Sequence, residues 1–263
     1  MAQGAIEHNG RIAREDGVEL AWARLEGRGP MVVFLPGFNS DMAGSKATAL
    51  RDWCAGHGRA MLRLDYSGHG ASGGGFEDGS IGRWMTDALT VIDRLTEGPL
   101  LLVGSSMGGW IALLIALRRR ARVVGLVGIA AAPDFTECMI WDCLTQAEQA
   151  DLMATGRRTV PSRYGDPYVI TRGLIEDGRK HLLLSAPIAL DCPVRLLQGQ
   201  RDDDVPWRHA LDIAANLASD DVQIILIKDG DHRLSRETDI ALLCRTVAAL
   251  LEAPFLGEDR SQA

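Results

Sequence analysis

The stretch Leu101-Leu102-Val103-Gly104-Ser105-Ser106-Met107-Gly108-Gly109-Trp110 constrains this chain more than any other. An all-apolar run suited to a buried strand passes through Gly-x-Ser-x-Gly into a helical segment that stops at Arg118-Arg119-Arg120. A strand that turns this sharply into a helix holds the turning residue at a strained backbone position, its side chain standing clear of the sheet. Side chains two places before and after that residue would collide, so both places need small residues. For Ser106 they are Gly104 and Gly108; for Ser105 they are Val103 and Met107, which fail. Ser106 is therefore the residue on the turn and the candidate nucleophile. Glycines at a helix N-terminus also suit phosphate. The chain, however, has neither Gly-x-Gly-x-x-Gly nor Gly-Lys-Ser/Thr.

The rest of the chain supplies the layers such a turn needs. Residues 6–13 and 18–25 alternate apolar and polar around Asp16-Gly17, the pattern of an antiparallel hairpin. Short apolar runs at 31–35, 60–64, 100–103, 123–129, 194–197 and 222–227 then alternate with amphipathic segments. Ser40 or Asp41 is available to cap a first helix carrying Ala47, Leu50, Trp53 and Cys54. Ser80 is available to cap a second with Ile81, Trp84, Met85, Ala88, Leu89 and Ile92 at three- and four-residue spacing. A further helix follows Pro206, and a last one spans about 238–251. Strands apolar on both faces and separated by helices mean a mostly parallel, doubly wound α/β sheet. The alternation lapses at about 134–187, too long for an ordinary loop. That interruption is helix-like and polar, and reads as a helical cap inserted above one domain spanning 1–263.

Composition excludes several classes of function. A net charge of −7 carries no basic footprint for nucleic acid. Five cysteines without a Cys-x-x-Cys pair argue against a disulfide framework and a zinc site, and Cys54, Cys192 and Cys244 read as buried apolar residues. No two histidines share ligand spacing on one helix, so a metal site is not expected. The N-terminal segment has no apolar core for a signal peptide and is not an arginine-rich, acid-poor presequence. No run of about 18 apolar residues suits a membrane span, so the default expectation is a cytoplasmic protein. Oligomeric state is not legible.

A serine hydroxyl needs a base to take its proton. In a sheet of this kind the order is serine, acid, histidine, which removes His8, His57 and His69. His181 lies in the expected cap, and His209 sits on a helix where packing suits it better. His232, in Lys228-Asp229-Gly230-Asp231-His232, follows the last strand, where a doubly wound sheet places its site. The acid should follow the preceding strand, where Asp202, Asp203 and Asp204 all qualify by position. Asp202 is preferred for its Gly-x-x-Asp spacing, leaving Asp203 and Asp204 as N-terminal charges on the next helix. An oxyanion hole needs two backbone N–H donors, expected from Met107 and from Phe38 in Pro36-Gly37-Phe38-Asn39, with Gly37 giving the backbone freedom. The Asp65-Tyr66-Ser67-Gly68-His69-Gly70-Ala71-Ser72 segment reads as a structural turn bordering the site.

GSSMGGW at 104–110, GFNSDM at 37–42, DYSG at 65–68, VPSRY at 160–164 and VPW at 205–207 together resemble one branch of the α/β-hydrolases. That branch is the mitochondrial palmitoyl-protein thioesterases with their bacterial relatives, and the similarity runs from about Phe34 to Leu250. The resemblance implies the α/β-hydrolase fold and hydrolysis of esters or thioesters of acyl groups, acyl glucuronides included. It implies no cofactor, and triad roles at Ser106, Asp202 and His232. The expected substrates are small-molecule or acyl-protein esters and thioesters. A C–C hydrolase, a perhydrolase, or a receptor module with vestigial activity are the alternatives. In the cap, Met139, Ile140, Trp141, Leu144, Met153 and Tyr164 could line an acyl pocket. Arg157, Arg158, Arg163 and Arg172 could hold a substrate anion, although packed and solvated helix faces would explain both sets.

Overall fold

The computed structural model describes residues 5–161 and 167–252. Its strands are β1 (Glu7–Ala13), β2 (Glu19–Leu25), β3 (Arg28–Leu35), β4 (Arg59–Leu64), β5 (Leu100–Ser105), β6 (Val123–Ile129), β7 (Arg157–Val160), β8 (Tyr168–Thr171), β9 (Val194–Gly199) and β10 (Val222–Ile227). The helices are α1 (Ser45–Gly56), α2 (Ile81–Leu95), α3 (Met107–Arg118), α4 (Gln146–Thr155), α5 (Arg172–Gly178), α6 (His209–Asn216) and α7 (Glu237–Glu252). Eight strands form one sheet in the order β1-β2-β4-β3-β5-β6-β9-β10. The hairpin forms as expected, with Glu7 opposite Leu25 and Ala13 opposite Glu19, and β2 joins β4 antiparallel. From β4 to β10 every pairing is parallel.

Strand alternation sorts the apolar residues into two cores. Val33, Leu35, Leu62, Leu64 and Leu102 face one way, against Trp84 and Ile92 of α2 and Trp110 and Ile111 of α3. Val32, Phe34, Met61, Leu101 and Val103 face the other, against Leu50 of α1 and Leu243 and Val247 of α7. Each fully buried aliphatic side chain contributes about 1.5–3 kcal/mol relative to exposure. Both faces of the central strands are therefore committed, which leaves the strand ends as the place for chemistry.

Ser80 caps α2 as expected, its Oγ accepting from the Arg83 amide at 3.3 Å. The expected cap of α1 is corrected: Gly44, and neither Ser40 nor Asp41, precedes the helix. Asp41 spends its carboxylate on its own loop, where Oδ1 accepts from the Ala43 amide at 2.8 Å. An Asx turn of this kind competes with the helix for the same side chain.

The segment between β6 and β9 carries α4 and α5, in keeping with a helical cap, and adds the two-stranded ribbon of β7 and β8. Thr145 and Glu148 form a reciprocal capping box on α4. Gly156, at φ 83°, ends that helix in the left-handed conformation and turns the chain into β7, which pairs antiparallel with β8. β-Branched and aromatic residues in both strands (Thr159, Val160, Tyr168, Val169, Ile170, Thr171) fit a pleated ribbon. The arginines at 157 and 158 obscure that alternation in the sequence. Ser162, Arg163 and Tyr164 of the VPSRY stretch lie outside the described residues. Asp134 ties the start of the segment to its far end: Oδ1 accepts from the Leu183 amide and Oδ2 from the Leu184 amide, both at 2.8 Å. No helix among the described residues is long and apolar enough to cross a membrane.

Replacing Asp134 by Ala leaves two part-buried amides without their acceptor. Urea unfolding of Asp134→Ala is expected to show a loss of about 1–3 kcal/mol.

Candidate active site

Ser106 sits between β5 and α3 at φ 54°, ψ −120°, a conformation L-residues avoid. Its amide donates to the Ile129 carbonyl at 2.9 Å, and its own carbonyl accepts from Gly109 and Ala132 at 2.8 and 3.1 Å. The flanking glycines are required by contact. A Cβ on Gly104 would lie 2.2 Å from the Gly108 oxygen, and one on Gly108 would lie 2.1 Å from the Leu35 oxygen. A Cβ on Gly37 would lie 3.3 Å from that of Ser106, so the loop after β3 packs tightly beside the elbow. Ser105 is buried at the end of β5.

The loops after β9 and β10 converge on this serine. Gly199 and Gly230 pack so closely that a Cβ on the first would be 2.3 Å from the oxygen of the second, and the Arg201 amide donates to the Gly230 carbonyl at 2.9 Å. His232 is thereby brought between Ser106 and Asp202. Its Nε2 is 3.1 Å from Ser106 Oγ and its Nδ1 is 2.9 Å from Asp202 Oδ2. A carboxylate only accepts, so Nδ1 carries the proton and Nε2 accepts from the serine hydroxyl.

Asp202 is held by more than its histidine. Oδ2 also accepts from Gln198 Nε2 at 2.9 Å, and Oδ1 from the amides of Asp204 and Val205 at 2.9 and 2.8 Å. Burial pushes this carboxyl up, but the hydrogen bond and charge of His232 and the two amides outweigh it, holding it below the ordinary carboxylate range. Sequence reasoning missed Gln198; its only signal is a polar residue at the end of an apolar strand. Asp203 and Asp204 are not first-turn charges on α6, which corrects that expectation. The helix starts at His209 after a turn in which the His209 amide donates to the Pro206 carbonyl. Both aspartates line the cavity beside the serine instead. Asp202, Asp204 and His232 also lie within 4.8 Å of one another, but Asp202 has both oxygens engaged as above.

The remaining histidines lie elsewhere. His8 pairs with Glu26 at 2.8 Å, His57 meets the Trp53 carbonyl at 2.8 Å, and His209 meets the Pro133 carbonyl at 2.8 Å. His181 faces Asp177 at 3.7 Å. His69 is buried under the loop that carries Phe38.

A cavity of about 710 Å³ opens above Ser106, and both Phe38 and Met107 line it. Phe38 makes edge contacts with Phe76, Trp84, Phe135 and Tyr168, at centroid distances of 4.9 to 5.9 Å. Phe38, Phe135 and Tyr168 of this cluster form an apolar wall with Met139, Ile140 and Pro161, and Asn39, Ser40, Ser45, Lys46 and Arg233 supply the polar part of the lining. Lys46 donates from Nζ to the Arg233 carbonyl, and burial, aided by Arg233, pushes its ammonium down to about 8.

Of the apolar set expected in the cap, Met139 and Ile140 reach the cavity, whereas Trp141 and Leu144 pack against the core. The described arginines of that set do not reach it: Arg157 meets Glu77, Arg158 meets Glu148, and Arg172 meets Glu176 and the Met153 carbonyl.

Residues 29–172 match the family profile Hydrolase_4, described as serine aminopeptidase, S33. The palmitoyl-protein thioesterase ABHD10, mitochondrial, of Mus musculus is 40% identical over 92% of this chain and 82% of its own length. A crystal structure from Agrobacterium vitis S4 superposes with a TM-score of 0.89 at 41% identity, covering 95% of this chain and all of that one. The structure of mouse ABHD10 gives 0.87 at 40% identity, over 92% and 98% of the two chains.

Two outcomes test the geometry. Gly108→Ala forces a methyl against backbone and is expected to cost at least about 1–3 kcal/mol, measured by urea unfolding. The depressed Asp202 carboxyl stabilises the fold fully above the ordinary carboxyl pKa of about 4 and loses that contribution as pH falls through its lower folded value. The urea midpoint of Asp202→Asn should therefore fall less steeply than that of the parent below about pH 4.

Proposed function

The chain belongs to the Hydrolase_4 (serine aminopeptidase, S33) family of α/β-hydrolases, and on that premise we propose that it cleaves carboxylic esters or acyl thioesters through an acyl-enzyme on Ser106. One observation carries this reading: the serine Oγ, the His232 imidazole and the Asp202 carboxylate stand in hydrogen-bonded sequence, with the serine and the histidine lining the cavity. Ser106 Oγ attacks the carbonyl carbon while its proton passes to His232 Nε2. Asp202 keeps the tautomer and stabilises the imidazolium, without taking the proton itself. The amides of Phe38 and Met107 receive the developing oxyanion, each such donor being worth about 10²–10³ in rate. Collapse of the tetrahedral species expels the alcohol or thiol, which takes its proton from His232. Water activated by the same histidine then frees the acid and restores Ser106.

The wall formed by Phe38, Phe135, Met139, Ile140 and Tyr168 suits an acyl chain, and the polar border suits the leaving group. Thioesters enter the proposal because the mouse relative, 40% identical, is named a palmitoyl-protein thioesterase. The substrate is accordingly an acylated small molecule or an acylated protein. The compartment is read as the cytoplasm, whereas that relative is named mitochondrial; fractionation of the source cells decides it.

Ser106→Ala should fold normally and lose hydrolysis of p-nitrophenyl esters and of acyl thioesters by at least about 10³-fold. Turnover by this variant at the parent rate would remove Ser106 from the mechanism. A series of acyl lengths on matched esters and thioesters then assigns chain length and bond type.

A further inference from the structure

The segment that follows β4, Asp65 to Gly70, clamps the loop that follows β3 at three points. Tyr66 Oη donates to the Pro36 carbonyl at 3.2 Å, His69 Nε2 accepts from the Asn39 amide at 3.2 Å, and Asp65 Oδ1 accepts from the Met42 amide at 2.7 Å. Phe38, on which one oxyanion donor rests, lies between the first two of these points. All three side chains are buried, at no more than 4% exposure. That matters, because a buried clamp cannot be replaced by water.

The chemistry of His69 is fixed from both sides. Its Nδ1 lies 3.2 Å from the Ser67 carbonyl, which can only accept, and its Nε2 faces an amide, which can only donate. The ring is therefore neutral and protonated on Nδ1. Its acceptor draws the Asn39 N–H down into the fold, with Asn39 itself held at φ 53°. Two glycines make room for the arrangement. Gly68 is at φ 75°, and Gly70, at φ 48°, would otherwise place a Cβ 2.2 Å from Asp65 Oδ2.

We propose that His69 and Tyr66 are positioning residues that preorganise the oxyanion loop, aiming the Phe38 amide at the carbonyl oxygen attacked by Ser106. Neither touches substrate; both act through Pro36 and Asn39. The inference rests on the acyl-transfer reading of the same site, since without an oxyanion the clamp has nothing to aim at. It accounts for a histidine and an aspartate that lie outside the relay and yet border the site. An amide that must meet charge developing only in the transition state contributes to kcat, and a misplacement of about 1 Å can cost about 10²-fold. The pH response has the same origin. Burial lowers the basicity of His69, while the Ser67 carbonyl, Asp87 and Asp41 oppose that lowering, so the ring stays neutral until pH falls below the ordinary histidine range.

The test compares His69→Leu, His69→Gln and Tyr66→Phe with the parent. Steady-state kinetics on a p-nitrophenyl ester are read beside inhibition by a trifluoromethyl ketone, whose hemiketal oxyanion occupies the same hole. His69→Leu is expected to lower kcat by about 10–10²-fold with KM within about twofold, and to weaken the ketone by the same factor as kcat/KM. His69→Gln, which keeps an acceptor for Asn39, should recover most of that loss. Tyr66→Phe, which keeps the ring, should lose about threefold or more in both readouts and stands in if the leucine variant does not fold. The inference is overturned if Tyr66→Phe and the folded His69 variants all keep kcat and ketone affinity within twofold of the parent. It is equally overturned if the ketone binds undiminished while kcat falls. Ser106→Ala separates the two levels: its inactivity beside fully active clamp variants refutes the clamp alone, and its retained activity refutes the reading beneath it.

Discussion

The left-handed backbone of Ser106 is the constraint from which the rest of the site follows. Holding a serine at φ 54° costs of order 1–3 kcal/mol, and only surroundings that over-determine the turn can sustain it. Those surroundings are the sheet on one side and α3 on the other. The serine amide is anchored on β6, its carbonyl receives two amides from α3 and the loop after β6, and Gly104 and Gly108 let helix and strand approach to contact. The strain is thus balanced by burial of Trp110, Ile111 and their neighbours in the core beneath. The serine side chain is left with the only open direction, toward the strand ends.

That direction decides where the other groups must come from. In a parallel sheet the carboxyl ends of β3, β5, β9 and β10 lie along one edge, so four loops distant in sequence meet over the elbow. Ser106 and His232, 126 positions apart in the chain, are closed into one hydrogen bond because each loop is anchored at its strand. Gly199 against Gly230 is the second close approach on which this depends. The loop after β3 arrives by a third, where the missing Cβ of Gly108 makes room for the Leu35 and Pro36 carbonyls. Three backbone contacts, each permitted only by glycine, set the geometry that the side chains then use.

Much of this was legible in the residues, and the division is physical. Ser106 and its two glycines were readable because the steric rule is local, confined to five residues. The two cores were readable because strand alternation and helix spacing are periodic, and nearly every apolar run became a strand. The partners of Ser106 were readable only through chain order, and position alone did not separate Asp202 from its two neighbours. In the structure Gln198, two backbone amides and His232 converge on Asp202. Where the reading failed, side chains had competing uses. Asp41 could cap a helix or close its own turn, and its loop geometry chose the turn. The arginines at 157 and 158 suggested a polar helix face, although Gly156 had already redirected the chain into a ribbon.

The glycine-rich segment after β4 shows why a turn beside a site need not be passive. His69 precedes the serine and is not placed to serve as its base, since its ring meets the Asn39 amide and the Ser67 carbonyl. An enzyme that stabilises an oxyanion with backbone amides nevertheless faces a problem that no backbone solves by itself. The loop bearing the amide must leave the sheet, and so loses the ladder that would fix its direction. Fixing it requires groups that are buried, polar and fully satisfied, since a half-satisfied network costs more than it gives. A neutral imidazole with one carbonyl and one amide for partners meets that condition, as does a tyrosine hydroxyl on a carbonyl. The requirement for buried, satisfied polarity beside a mobile class of structure makes histidine, tyrosine and aspartate the natural occupants of this turn. On the proposed reading the two histidines divide the work: His232 moves a proton, and His69 keeps an amide where the charge will form.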